Sequence, residues 1–129
     1  MKKLLLALGL LLLSAPSFAE WESVGADENG DTIYIDPSTI KKLSDDKVKV
    51  WVMIDYAKAP DLSDDEQYLS VKGIEYFDCD NEMSAVIFAA GYSGKMGSGS
   101  RRFRNDLPET YNHIILGTIG DQKLAIACH

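Results

Sequence analysis

The chain has little with which to do covalent or metal chemistry. Its 129 residues include two histidines and two cysteines. Cys79 and Cys128 are far too distant in sequence for a C-x-x-C redox pair. With only His113 and His129 beside them, they also fall short of a zinc site's ligand set. No G-x-S-x-G elbow occurs, His113 sits in an extended run, and His129 is the last residue. Catalysis by a nucleophile and its base therefore has no visible constellation here.

Phosphate loops are missing too, although one stretch imitates them. Residues 91–100 read GYSGKMGSGS. A P-loop needs G-x-x-x-x-G-K-[ST], but Ala89 and Met96 stand where it requires Gly and Ser or Thr. A dinucleotide fingerprint needs G-x-G-x-x-G opening a helix, and here the order is G-x-x-G-x-x-G-x-G followed by SRRFRNDLP. The stretch reads as a turn between strands, its glycines at positive φ where needed and Lys95 facing solvent. Calcium loops fail similarly. Residues 27–31 and 78–82 alternate oxygen ligands, but Thr32 and Met83 occupy the sixth position, where an EF-hand requires glycine.

Positive charge is in deficit, with 13 Lys and Arg against 20 Asp and Glu, a net charge of −7. Such a chain repels nucleic acid and anionic lipid headgroups. Long apolar runs are confined to residues 4–13, which are too short to span a bilayer. Lys2 and Lys3 precede that run and Ser17-Phe18-Ala19 follows it. This is the pattern of a secretory signal peptide over residues 1–19. No cysteine follows the cleavage site to carry a lipid anchor. The expected product, residues 20–129, carries 11 basic and 20 acidic residues, net −9. It is one domain by length, exported to the periplasm or outer cell surface, with no membrane span after signal cleavage. In an oxidising compartment an even cysteine count argues for a structural disulfide between Cys79 and Cys128.

Strand signals dominate what is present. Residues 21–24 and 32–35 flank a turn at Asp27-Glu28-Asn29-Gly30-Asp31, where Asn-Gly is a hairpin signal. Residues 36–40 (DPSTI) read as one helical turn, with Asp36 as cap and Pro37 at the first helical position. Residues 47–56 alternate strictly: Val48, Val50, Val52 and Ile54 point one way, Lys49, Trp51, Met53 and Asp55 the other. A polar loop, 57–67, leads to a strand over 68–78 and another over 83–92, apolar on both faces around Val86-Ile87-Phe88. Residues 100–104 and 111–115 are extended. The period then changes. Thr118 caps a helix over 119–127, with Asp121 three positions on in an approximate capping box. The helix would bury Ile119, Leu124, Ala127 and Cys128. The class is α+β: an antiparallel sheet of about six strands with a C-terminal helix packed on it and one disulfide.

Two features remain as binding candidates. Arg101-Arg102-Phe103-Arg104 is the only dense basic run, able to grip carboxylate or phosphate bidentately or to pair with the chain's own acids. On a regular strand, Arg102 and Arg104 share a face. The aromatics Trp51, Tyr56, Tyr68, Tyr76, Phe77, Phe88 and Tyr92 are numerous for a small sheet. Most belong in the core or in cross-strand pairs, and an exposed subset would mark a partner surface.

Several stretches in order resemble the surface-adhesin protein E family of small exported proteins in Gram-negative bacteria. YIDPSTIKK (34–42), VKVWVMIDY (48–56), SVKGIEYFDC (70–79) and YSGKMGSG (92–99) are similar to its framework segments. LGTIGDQKLAIAC (116–128) is similar to its C-terminal helix, with Leu116 and Thr118 where that helix begins with Pro and Ser. The resemblance implies an antiparallel sheet with a C-terminal helix, the Cys79–Cys128 disulfide and no catalytic residues or cofactors. It also implies adhesion to host matrix proteins such as vitronectin and laminin, and a homodimer. The expected function is an exported, non-enzymatic binding module that meets a host matrix or envelope protein through Arg101, Arg102 and Arg104. The alternatives are a periplasmic structural or envelope-stress protein without a host ligand, and a small hydrolase built around His113.

Overall fold

The strands fall close to where β-branched alternation puts them. The computed structural model describes residues 19–60, 62–63 and 66–129. It contains β1 (Glu22–Ala26), β2 (Thr32–Lys42), β3 (Lys47–Asp55), β4 (Ser70–Asp78), β5 (Met83–Tyr92), β6 (Arg101–Asp106), β7 (Asn112–His113) and a C-terminal helix, α1 (Ile119–Cys128). Residues 1–18, nearly all of the expected signal peptide, lie outside the described residues, as do Asp61, Asp64 and Asp65 of the acidic loop. The sheet is antiparallel with strands in sequence order β1 to β6, and β7 pairs with β5 beside the first residues of that strand.

Parity along the strands decides what each face does. Ile33, Ile35, Val48, Val50, Val52 and Phe77 pair across β2, β3 and β4 on one face, and Ala127 of α1 closes over them. Ile35, Val50 and Phe77 are completely buried. Ile119, Leu124, Ile126 and Cys128 complete the helix's apolar contribution. Each large aliphatic side chain so buried contributes about 1.5–3 kcal/mol. Thr118 caps α1 by accepting from the Asp121 amide, and Asp121 Oδ2 accepts in turn from the Gly117 amide at 3.0 Å. The disulfide joins Cys79, just past β4, to the last turn of α1, with the two Cα atoms 5.8 Å apart.

The expected helical turn at residues 36–40 does not form. The chain stays extended, and the β2–β3 register slips between Asp36 and Lys41. Asp36 does act as a local cap, its Oδ1 accepting from the Ser38 amide at 3.0 Å. Pro37 has no N–H for the ladder. The Thr39 hydroxyl replaces a ladder carbonyl, accepting from the Trp51 amide at 3.0 Å. A long partner strand thus outcompetes a single helical turn, which has only local bonds to offer. The 27–31 turn forms as its residues require. Asp27 Oδ1 accepts from the Asn29 and Asp31 amides, and Gly30 takes φ 80°.

Candidate functional site

The basic run RRFR lies on β6, an outer strand of the sheet. Arg101, Arg102 and Arg104 are all exposed. Among the described residues none of them comes within ion-pair distance of a carboxylate; the ion pairs there are Lys95–Asp55 and Lys123–Glu75. Simple alternation does not hold along the run. A register shift falls between Gly91 and Tyr92, so Arg101 faces Tyr92, Phe103 faces Gly91, and Arg102 is the extra residue of a bulge. Arg101 and Arg104 oppose Tyr92 and Ala90, two positions on the same face of β5. The Arg104 guanidinium carbon stands 5.3 Å from the centre of the Phe88 ring. A guanidinium in that position gains from the ring's negative face while its donors remain free.

Phe103 holds the run in place. A Cβ on Gly91 would lie 2.2 Å from the Phe103 ring, so the aromatic side chain covers a bare stretch of backbone that only glycine can offer. Phe103 then meets Tyr68 edge to face at 5.1 Å, and Tyr68 meets Tyr56 at 5.6 Å. Burial, together with the Tyr68 phenol and the Asp31 and Asp27 carboxylates, pushes the Tyr56 hydroxyl's pKa up. On the face away from α1, Trp51, Ile74 and Phe88 form one cross-strand row, with Trp51 and Phe88 edge to face at 5.8 Å. All three are half-buried. Phe77 alone of the seven sequence-selected aromatics is fully buried.

The glycine-rich stretch does bind an anion, but an internal one. Its backbone turns through a short 3-10 segment, Lys95–Gly97, with Met96 at φ 56°, Gly97 at 72° and Gly99 at 81°. The Met96 amide donates to Asp55 Oδ1 at 2.8 Å, and the Gly97 amide to Ser70 Oγ at 2.8 Å. Ser70 Oγ in turn donates to the Gly94 carbonyl at 2.6 Å. Lys95 was expected to face solvent. Its side chain is 53% exposed, yet Nζ turns back to Asp55 Oδ2 at 3.3 Å and to the Tyr56 carbonyl at 2.7 Å. The amide and ammonium that a phosphate would need are thus committed to Asp55 at the end of β3. The only hint of this in the sequence is a carboxylate ending a strand that alternates so strictly. The loop's role is to deliver β6 to the sheet in a fixed register.

The other sequence-selected groups stay apart. His113 is exposed on β7 opposite Met83, and His129 ends the chain beyond α1. The two acidic turns close on their own hydrogen bonds: Asp78 Oδ1 and Oδ2 accept from the Asn81 amide and its Nδ2. Those bonds hold the Asp78 carboxyl below its ordinary pKa.

Solved structures share this architecture. Protein E of Haemophilus influenzae superposes with a TM-score of 0.65 at 16% identity, over 89% of this chain and 93% of that one in one crystal form. A structure of protein E from non-typeable Haemophilus influenzae gives 0.65 and 16% over 88% and 78%. At that identity the likeness is one of fold. Among curated proteins none matches the chain. The family model for surface-adhesin protein E matches residues 21–129. That match takes in the whole sheet, the disulfide and the helix, so the chain belongs to the surface-adhesin protein E family.

Proposed function

We propose that this protein is an exported, non-enzymatic surface adhesin that grips a host matrix protein through the edge of its sheet. The family and the fold support a surface adhesin. The observation that carries the site is the set of three exposed arginines on β6, free of ion pairs among the described residues of a chain with net charge −7. A strongly acidic protein ordinarily repels acidic partners. Concentrating free guanidinium groups on one strand gives it a local surface for acidic ones, with bidentate geometry that lysine lacks. Phe103, Tyr68 and Tyr56 hold that strand rigid, which lowers the ordering cost of association.

Residues 1–19 act in this reading as a secretory signal, and the remainder reaches the outer surface. Protease shaving of intact cells should remove the protein, and should spare it if it stays in the periplasm. Purified wild-type protein should be retained on immobilised vitronectin or laminin, and the R101A/R102A/R104A variant should not. A deletion strain with envelope defects and unchanged adherence would favour the periplasmic structural role instead.

A further inference from the structure

The sheet's helix-side face is not fully covered. α1 packs over β1 to β4 and stops short of β5. Beneath its first turn, Gly73 and Ala89 are cross-strand partners, so two of the smallest side chains meet where a core would normally place large ones. A Cβ on Gly73 would lie 2.8 Å from the Phe88 carbonyl oxygen, so the backbone itself keeps this position empty. The result is a cleft of about 290 Å³, open on one side, walled by Val52, Val71, Val86 and Ile119 above that floor. The volume has room for roughly ten water-sized groups.

A single charged pair interrupts the apolar lining. Lys123 Nζ donates to Glu75 Oε1 at 2.6 Å, with the two side chains 15% and 6% exposed. Lys123 stands one turn after Ile119, on the same side of α1. Glu75 Oε2 receives no hydrogen bond from the described residues. Oε2 keeps some exposure, and Glu75 is one of the residues that line the cleft. The pair therefore presents a free acceptor and free N–H donors side by side, with no net charge.

We propose that this cleft binds a medium-length aliphatic molecule ending in an uncharged hydroxyl or amide. The chain lies on the Val52, Val71 and Val86 side chains. The head donates to Glu75 Oε2 and accepts from Lys123. A charged head would leave one unbalanced charge against a largely apolar lining, which a neutral donor–acceptor head avoids. The site is separate from the arginine edge, and its occupancy does not depend on adhesion.

Titration of purified protein with octanamide and 1-octanol, followed calorimetrically at pH 7, tests this. Both should bind, with octanoate and octylamine about tenfold weaker. Ala89→Phe should abolish binding by filling the floor. Val86→Trp, at a position already partly exposed, does the same should Ala89→Phe fail to fold. No binding of octanamide or 1-octanol to the wild type, equal binding by wild type and the filled variants, or tighter binding of either charged probe would overturn the proposal.

Discussion

The Met96 amide lies 2.8 Å from Asp55 Oδ1, across 41 residues of sequence. This bond converts a glycine-rich stretch that imitates a phosphate cradle into a clamp between the end of β3 and the entry to β6. Asp55→Ala would leave the Met96 amide without its acceptor and free Lys95. A loss of about 1–3 kcal/mol is expected, together with faster hydrogen exchange at Met96 and Gly97. Exchange at both amides unchanged from wild type in the variant would contradict the clamp.

Gly91 and Phe103 make a second coupled pair. Gly91→Ala places a methyl carbon 2.2 Å from the ring, and overpacking of this kind costs about 1–3 kcal/mol. Phe103→Ala should relieve the clash, so the double variant should be less destabilised than the sum of the singles. Additive thermal denaturation data would show that the ring does not rest on the glycine.

The disulfide ties α1 to the end of β4 across 49 residues. On the chain-entropy account a loop of that length contributes about 4 kcal/mol. The C79A/C128A variant should therefore lose about that much in urea denaturation, and the wild type under reducing conditions should match it.

Asp80 gives the fold a pH signature. The Asp46 carboxyl beside it, by hydrogen bond and then by charge, raises Asp80's pKa above its ordinary value. The folded protein thus holds that proton more tightly than the unfolded chain does. Its contribution to stability is complete at pH values below the ordinary carboxylate pKa, and it is lost as pH rises from there through the raised folded-state pKa. Asp80→Asn should be more stable than wild type at pH 7 and no more stable at pH 3, read from melting temperatures at the two values.

Much of this architecture is legible in the sequence because its signals are local. Alternation places β3, and the Met83–Tyr92 strand needs no adjustment. Thr118 and Asp121 mark the start of α1, and the even cysteine count, read with an expected signal peptide, marks the disulfide. The misreadings share one cause, a partner distant in sequence. Residues 36–40 look helical until β3 offers a ladder and Thr39 a substitute acceptor. Lys95 is exposed as its setting suggests, but its ion pair with Asp55 of β3 is not written in its own neighbours. The bulge at Arg102 depends on how Gly91 and Phe103 meet, which neither residue's own neighbours reveal. The cleft at Gly73 and Ala89 is invisible for the same reason, since small residues in separate strands acquire meaning only once they are paired.

The central claim is that the exposed arginines of β6 form the adhesive surface. Arginine is over-represented among residues that dominate protein interfaces. The most direct measurement is equilibrium binding of wild type and R101A/R102A/R104A to immobilised vitronectin and laminin at low and high salt. The account predicts wild-type binding that weakens as salt rises, and at least a tenfold loss, about 1.4 kcal/mol, in the variant at low salt. Equal binding by both proteins at every salt concentration would contradict it.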